Sequence, residues 1–301
     1  MRQHHTAVNA AAEIGKAAVK GNSIGSQAVT FDPETIRPGN FHFTIGSAGS
    51  CTLVFQTVLP ALIAADGPSE IILEGGTHNP FAPPFDFLEK VFLPVINKMG
   101  PTVRTVLEKP GFYPAGGGRF KVTIDPAALS RVDLLERGNI IGRTVRAAVA
   151  NLPVKIANRE LKVVREELQW GRELLKAVEV ENSQGPGNIL TVEIESENIT
   201  EVFTGFGERG ISAEKVAKRT AKSVREYLAS DVPVGRYLAD QLLIPMAMAG
   251  GGKFRTLSPT KHTTTNIEII KKFLDVEVDI SENVQNQFEI SIKKTDIDLA
   301  R

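Results

Sequence analysis

Apolar side chains recur along this chain with two periods, every second residue and every third or fourth, and the switches between them predict its elements. Phe41-His-Phe-Thr-Ile45 alternates as a half-buried strand does, and Gly46-Ser-Ala-Gly-Ser50 then opens a helix over 52–65 with Phe55 and Leu59 toward the core. Strands are predicted at 28–31, 69–73, 103–107 and 119–124, and a helix over 85–99 carries Phe87, Leu88, Val91, Phe92 and Val95 on one side. An earlier helix is predicted over 7–18, with its alanines and Ile14 on the apolar side. Strand, helix, strand, helix and paired strands make one α/β unit, whose repetition is not visible by identity.

The character of the chain changes near Gly138. A strand over 139–150 leads to a helix over 157–176 spaced by Leu161, Val164, Leu168 and Leu175, and a new strand starts at 178–180. Gln184-Gly-Pro-Gly-Asn188 turns into an alternating strand over 189–195, and Ser212 caps a helix with Val216, Thr220, Val224 and Leu228 along one face. About a hundred residues with their own core suggest an inserted domain, 138–232, within a larger one made of 1–137 and 233–301.

Past that point, Leu242, Leu243, Ile244, Met246 and Met248 are too apolar for a surface loop, so this run is buried and is kinked, or in a first turn, at Pro245. Gly250-Gly-Gly252 ends it. Phe254, Thr256 and Leu257 read as a short strand broken by Pro259, which leaves His262 in a loop just past the strand. A helix from Asn266 follows, spaced by Ile267, Ile270 and Leu274. Gly-Gly-Gly-Lys is not a P-loop, because Phe254 stands where that motif needs Ser or Thr. Taken alone, a histidine after a strand is more often a hydrogen-bonded surface residue than a nucleophile.

Composition narrows the function classes. Hydrophobic residues make up 42% and charged residues 23%, with Lys+Arg and Asp+Glu equal at 35. Neutrality argues against coating long nucleic acid, and for a small ligand or a grip on one RNA end. One cysteine excludes an internal disulfide, and with five scattered histidines it argues against a structural zinc site. No apolar run approaches membrane-spanning length and Met1-Arg-Gln-His-His starts no signal peptide, so a cytoplasmic protein is expected. Three features have two readings each. The glycines at 46–50 either present amides to an anion or let strand and helix pack closely. His78 either meets phosphate or is solvated. The basic side of the Ser212 helix (Lys215, Lys218, Arg219, Lys222, Arg225) either meets RNA or is a solvated face diluted by Glu214 and Glu226.

Six ordered motifs span nearly the whole chain: Gly46-Ser-Ala-Gly-Ser-Cys-Thr52; Gly75-Gly-Thr77 with Ala82-Pro-Pro84 and Asp86; Gly111-Phe-Tyr-Pro-Ala-Gly-Gly-Gly118; Gln184-Gly-Pro-Gly187; Tyr237-Leu-Ala-Asp-Gln241; and Pro259-Thr-Lys-His262-Thr-Thr-Thr-Asn266. Together they resemble the RNA 3'-terminal phosphate cyclase family. The resemblance implies an α/β fold, with a large domain of repeated units that each lay two helices on a four-stranded sheet, and a small inserted α/β domain. It implies ATP with Mg²⁺ or Mn²⁺, an RNA 3'-phosphate end as substrate, and no membrane or obligate protein partner. His262 is implied as the nucleophile that takes AMP. Gln56, Tyr237, Leu238, Ala239, Asp240 and Gln241 are implied around the nucleotide, with Asp240 organising ATP or its metal, and Arg2 on a phosphate of the RNA end. Family members carry a further N-terminal strand, a Glu-Gly-Gly-Gly-Gln-type loop and a second strand, whereas Met1-Arg-Gln-His4 resembles the entrance of their first long helix. Two alternatives accompany this reading: a cyclase-like protein of RNA processing without the chemistry, and an inactive shortened cyclase. An enolpyruvyl-transfer site would share only the architecture.

Overall fold

The computed structural model describes residues 1–283 and 287–295. Helix α1 (Arg2–Ile14) leads to a two-stranded antiparallel hairpin, β1 (Ala18–Lys20) and β2 (Thr30–Asp32). The helix lies about one turn earlier than its alanines suggest and stops before Gly15.

A first complete unit follows: β3 (Asn40–Thr44), α2 (Cys51–Ile63), β4 (Ser69–Gly75), α3 (Phe85–Phe87), α4 (Leu93–Lys98), β5 (Thr102–Lys109) and β6 (Gly118–Asp125). A single π-helical turn, Leu88–Phe92, joins α3 to α4 just before Pro94, which has no N–H for the regular helical bond. The strands form one sheet in the order β3-β4-β6-β5. Their apolar alternation buries Phe41, Phe43, Ile71, Leu73, Phe120 and Val122 beneath α2 and the α3–α4 helix.

After β7 (Asp133–Leu134) the chain builds a separate sheet from β8 (Ile140–Ala150), β9 (Leu175–Glu179), β10 (Gly187–Ser196) and β11 (Thr200–Phe206), ordered β11-β10-β8-β9. Helices α5 (Lys155–Leu168) and α6 (Ala213–Ser230) cover one face of it. The opposite face packs on Phe112 and, through β11, on the π turn. Ser212 caps α6 as expected, its hydroxyl accepting from Lys215 N at 3.2 Å. The helix expected to run to Lys176 ends at Leu168, because Gln169 takes a left-handed φ of 56°. Leu175, expected on that helix, instead opens β9.

The last part is α7 (Arg236–Met248), β12 (Gly251–Thr256), α8 (Lys261–Ile270), β13 (Val276–Glu282) and β14 (Phe288–Lys294). Together with β7 these strands form a sheet ordered β13-β14-β12-β7. Read from β7, this unit has the same topology as the first. β3–β4 and β7–β12 are parallel, and the two remaining pairs in each sheet are antiparallel. Helix α2 therefore corresponds to α7, and the α3–α4 helix to α8. The run α1-β1-β2 has the form of the last three elements of such a unit. Helix α7 continues past Pro245, which stands in its third turn and not in a first one, and Gly251 and Gly252 lie inside β12.

Candidate functional site

Helix α7 starts at Gly235, whose N–H is held at 2.6 Å by Oε1 of Glu201, a fully buried residue of β11. From there the helix divides into two faces. Leu238, Ala239, Leu242 and Leu243 enter the core, while Tyr237, Asp240, Gln241 and Ile244 face outward. Leu238 and Ala239 therefore cannot wall a nucleotide with their side chains, since both are essentially without exposed surface. Tyr237 is 77% exposed, free to lie over a bound group.

Between α2 and α7 lies a cleft of about 270 Å³, a little below the ~300 Å³ at which small-molecule pockets usually begin. Gln56 and Thr57 line it from α2, Asp240 and Gln241 from α7, and Asn266 from α8, over an apolar floor that includes Pro60, Phe92 and Pro245. The Gln56 side-chain amide donates to the Gln241 side-chain oxygen and ties the two helices across the cleft. Both glutamines stand four residues before a proline, Pro60 and Pro245, in corresponding helices. Neither proline has an N–H for the glutamine carbonyl one turn back, so each helix leaves a backbone acceptor without its usual partner beside the cleft.

Asn266 donates from Nδ2 to Asp240 Oδ1 at 3.1 Å and to the Asp240 carbonyl at 3.3 Å. Burial pushes the Asp240 carboxyl above its usual range, and the Asn266 amide and the nearby His262 oppose that rise without cancelling it. His262 is not in a loop. It is the second residue of α8, which begins four or five residues earlier than its apolar spacing indicates, because Thr260 caps it by accepting from Thr263 N at 3.2 Å. The apolar stripe is complete only from Ile267, so periodicity missed the polar first turn. His262 is exposed and lies one helical turn before Asn266, on the side that reaches Asp240.

The site therefore gathers Gln56, Asp240 and Gln241 around one cleft, with His262 beside it and Tyr237 on the adjoining exposed turn. Arg2 is elsewhere. Its guanidinium donates to the Gly46 carbonyl at 2.8 Å and lines a second cleft, about 430 Å³, with His5, Asn9, His42 and Thr44. The two clefts share no lining residue.

Three amides at the start of α2 are already engaged, Ser50 N by Gln3 Oε1 at 2.9 Å, Cys51 N by Gly76 O at 2.8 Å and Leu53 N by Ser50 Oγ at 3.2 Å, so these three offer nothing to an anion. Gly116, at φ +70°, presses on Ala48, where a Cβ would meet backbone at 2.8 Å. His78 is neither solvated nor open to phosphate. It is 3% exposed, stacks on Phe112, meets Thr77 Oγ1 through Nδ1 at 2.7 Å and donates from Nε2 to Asp86 at 2.9 Å. Burial raises the Asp86 carboxyl, but the His78 hydrogen bond and the charges of His78, Arg146 and Lys90 hold it below the usual range.

Among the described residues no group of three or more His, Cys, Asp or Glu could hold a metal by itself. Asp240 is the carboxylate lining the cleft, which fits a divalent ion that arrives with phosphates and needs one or two protein carboxylates. Among the same residues no helix is long and apolar enough to cross a membrane.

The model of one family, described as RNA 3'-terminal phosphate cyclase, matches residues 1–280. A protein of Koribacter versatilis with that name is 49% identical over 283 residues, 94% of this chain and 80% of its own. One from Ectopseudomonas mendocina is 46% identical over 278 residues, 92% of this chain and 82% of its own. One from Pseudomonas fluorescens is 47% identical over 279 residues, 93% and 82% respectively, and both carry the same name.

Proposed function

The chain belongs to the RNA 3'-terminal phosphate cyclase family, and from that premise we propose that it converts an RNA 3'-terminal phosphate to a 2',3'-cyclic phosphate using ATP, through His262 adenylate. A neutral imidazole nitrogen of His262 attacks the α-phosphorus of ATP. The bond to the β-phosphate oxygen breaks, pyrophosphate leaves, and the ring gives up its proton. An oxygen of the RNA 3'-phosphate then attacks the phosphorus on His262, the N–P bond breaks, and the ring regains a proton. In the resulting anhydride the ribose 2'-oxygen attacks the 3'-phosphorus, loses its proton and expels AMP.

The residues of the cleft have separate duties in this scheme. Gln56 and Gln241, with the two carbonyls beside them, offer donors and acceptors to a purine edge. Tyr237 covers it, and Leu238 and Ala239 contribute only through backbone. Asn266 favours the ionised form of Asp240 against the upward push of burial and aims its carboxylate. A divalent cation, Mg²⁺ or Mn²⁺, held by Asp240 and the phosphates would neutralise charge developing on them. Positioning by these fixed groups supplies most of the remaining rate.

What supports the reading is the pair of contacts Gln56–Gln241 and Asn266–Asp240, which join three helices around one cleft, with His262 near enough to Asp240 to act on its charge. Incubation with α-³²P-ATP and Mg²⁺ should leave acid-labile label on the wild type and none on His262→Ala or His262→Asn. A folded wild type that takes no label, with or without 3'-phosphorylated RNA, would falsify the catalytic account and leave a cyclase-like RNA-processing protein in its place.

A further inference from the structure

Helices α5 and α6 lie side by side on the sheet β11-β10-β8-β9 and hold nine Lys and Arg against five Glu, in a chain whose charges as a whole balance to net zero. One of the five, Glu160, has no exposed surface and is removed from the solvent face. The other four sort by their partners. Arg159 pairs with Glu214 at 2.7 Å and Arg225 with Glu167 at 2.5 Å, both across the seam between the helices. Glu226 meets Arg236 at 3.1 Å and Lys222 at 3.9 Å. What remains is uneven. Lys155, Lys162, Arg165, Lys215, Lys218 and Arg219 are exposed and have no ion-pair partner among the described residues, against a single such carboxylate, Glu166.

Lys162 and Arg165 on α5, and Lys215 with Lys218 and Arg219 on α6, lie three or four residues apart, and Lys155 stands two turns before Lys162, so each helix shows them as a stripe, and close packing of the helices makes the stripes one surface. On α5 it runs from Lys155 to Arg165, about 15 Å at 1.5 Å per residue, and on α6 it covers about one turn, Lys215 to Arg219. The apolar sides of both helices (Leu161, Val164, Val216, Val224) are spent in the core beneath, so the surface has no hydrophobic edge to enter a bilayer. The sheet turns its other face to the main body, where Lys90 meets Glu193 at 2.5 Å and Arg146 meets Asp86 at 3.8 Å. The cationic layer is thus on the side of its sheet away from the body that holds the cleft.

We propose that the α5–α6 layer is a second RNA contact, holding backbone phosphates of the substrate well upstream of its 3' end. This rests on the reading that the substrate is an RNA 3'-phosphate. Contacts from flexible cations to phosphate carry no sequence information, so the layer favours long substrates of any sequence. The modest number of cations suits a tether beside a specific end site, not a protein that coats RNA.

The test compares wild type with Lys215→Ala/Lys218→Ala/Arg219→Ala, which keeps good helix formers at exposed positions. Binding of a 3'-phosphorylated single-stranded RNA of about thirty nucleotides should weaken about tenfold or more, with the slope of log affinity against log salt falling by about 2. A 3'-phosphorylated dinucleotide should be cyclised as well as before, and label from α-³²P-ATP on His262 should be unchanged. Replacing the same three positions by the opposite basic residue, Lys by Arg and Arg by Lys, should restore long-RNA binding. Equal affinity and slope for both proteins, or equal losses on long and short RNA, would overturn the proposal. So would binding to phosphatidylserine vesicles that the variant loses while RNA binding stays intact. A wild type that takes no label but still shows the length-dependent difference would sink the catalytic reading and leave this one standing.

Discussion

Asn266 is the residue where the electrostatics of the cleft can be tested most directly. Its amide reaches Asp240 twice, and that carboxyl is pushed upward by burial. Donation from the amide favours the ionised form, so Asn266→Ala must raise the Asp240 pKa further. If the carboxylate is the active form, the acidic limb of the pH profile for label uptake on His262 moves to higher pH. At neutral pH the rate should fall about ten- to a hundredfold, the size expected for one charge-assisted hydrogen bond of ~1.5–3 kcal/mol. An unmoved limb with a lower plateau would show that Asn266 only packs. The sequence motif contained Asn266, but nothing in its spacing said that it reaches back to another helix. Such a contact is visible only once α7 and α8 are packed.

At the scale of elements, α7 presents Asp240 and Gln241 because its first turn is fixed from outside the helix. Gly235 has no side chain to satisfy its own end of the helix, and a Cβ there would meet the Glu201 carboxyl at 2.8 Å. Glu201 comes from β11, in the sheet that packs α5 and α6, so that sheet sets where the cleft's helix begins. Glu201→Ala should destabilise the fold by about 1–3 kcal/mol, the cost of a buried amide left without its acceptor. Amide exchange should speed up over Gly235–Ala239 more than elsewhere, while Glu201→Gln, still an acceptor, should lie close to wild type. Uniform loss of protection across the chain would mean that the contact has no special link to α7. Strand β11 was not foreseen because a buried glutamate, Glu201, stands second in Thr200–Phe206 and breaks its apolar alternation. The shared Gln-x-x-x-Pro pattern of α2 and α7, in contrast, was legible in the letters. It was overlooked because a proline inside an apolar run reads as a break unless a second, corresponding helix shows the same spacing.

The whole molecule repeats one topology in two sheets and attaches a differently ordered third sheet between β7 and α7. The strands and helices of the first unit were readable because their buried faces keep strict periods, as in Gly118–Asp125. The repeat itself was not, because topology is conserved in hydrogen-bond register while the side chains that fill each core differ. In the third sheet two buried glutamates tie stability to pH. Glu160 accepts from Asn188 at 2.9 Å and is raised to about 7 by burial, which that hydrogen bond and Arg159 only partly offset. Glu201 is raised to about 8 by burial, against the amides of Gly235 and Val202. Both hold protons in the folded chain that the unfolded chain releases near pH 4.5. Their contribution is therefore complete below about pH 4.5 and is lost as pH rises through the folded values, about 7 and then about 8. Between those limits the unfolding free energy should decline with pH, where most proteins are near their plateau. Glu160→Gln removes one titrating group without removing its acceptor, so denaturant midpoints measured from pH 5 to pH 8.5 should fall less steeply in the variant. The difference should grow to on the order of 3 kcal/mol above pH 7. Parallel curves for the two proteins would mean that the buried carboxyl at position 160 does not titrate with folding, and that the slope has to be sought at Glu201 alone.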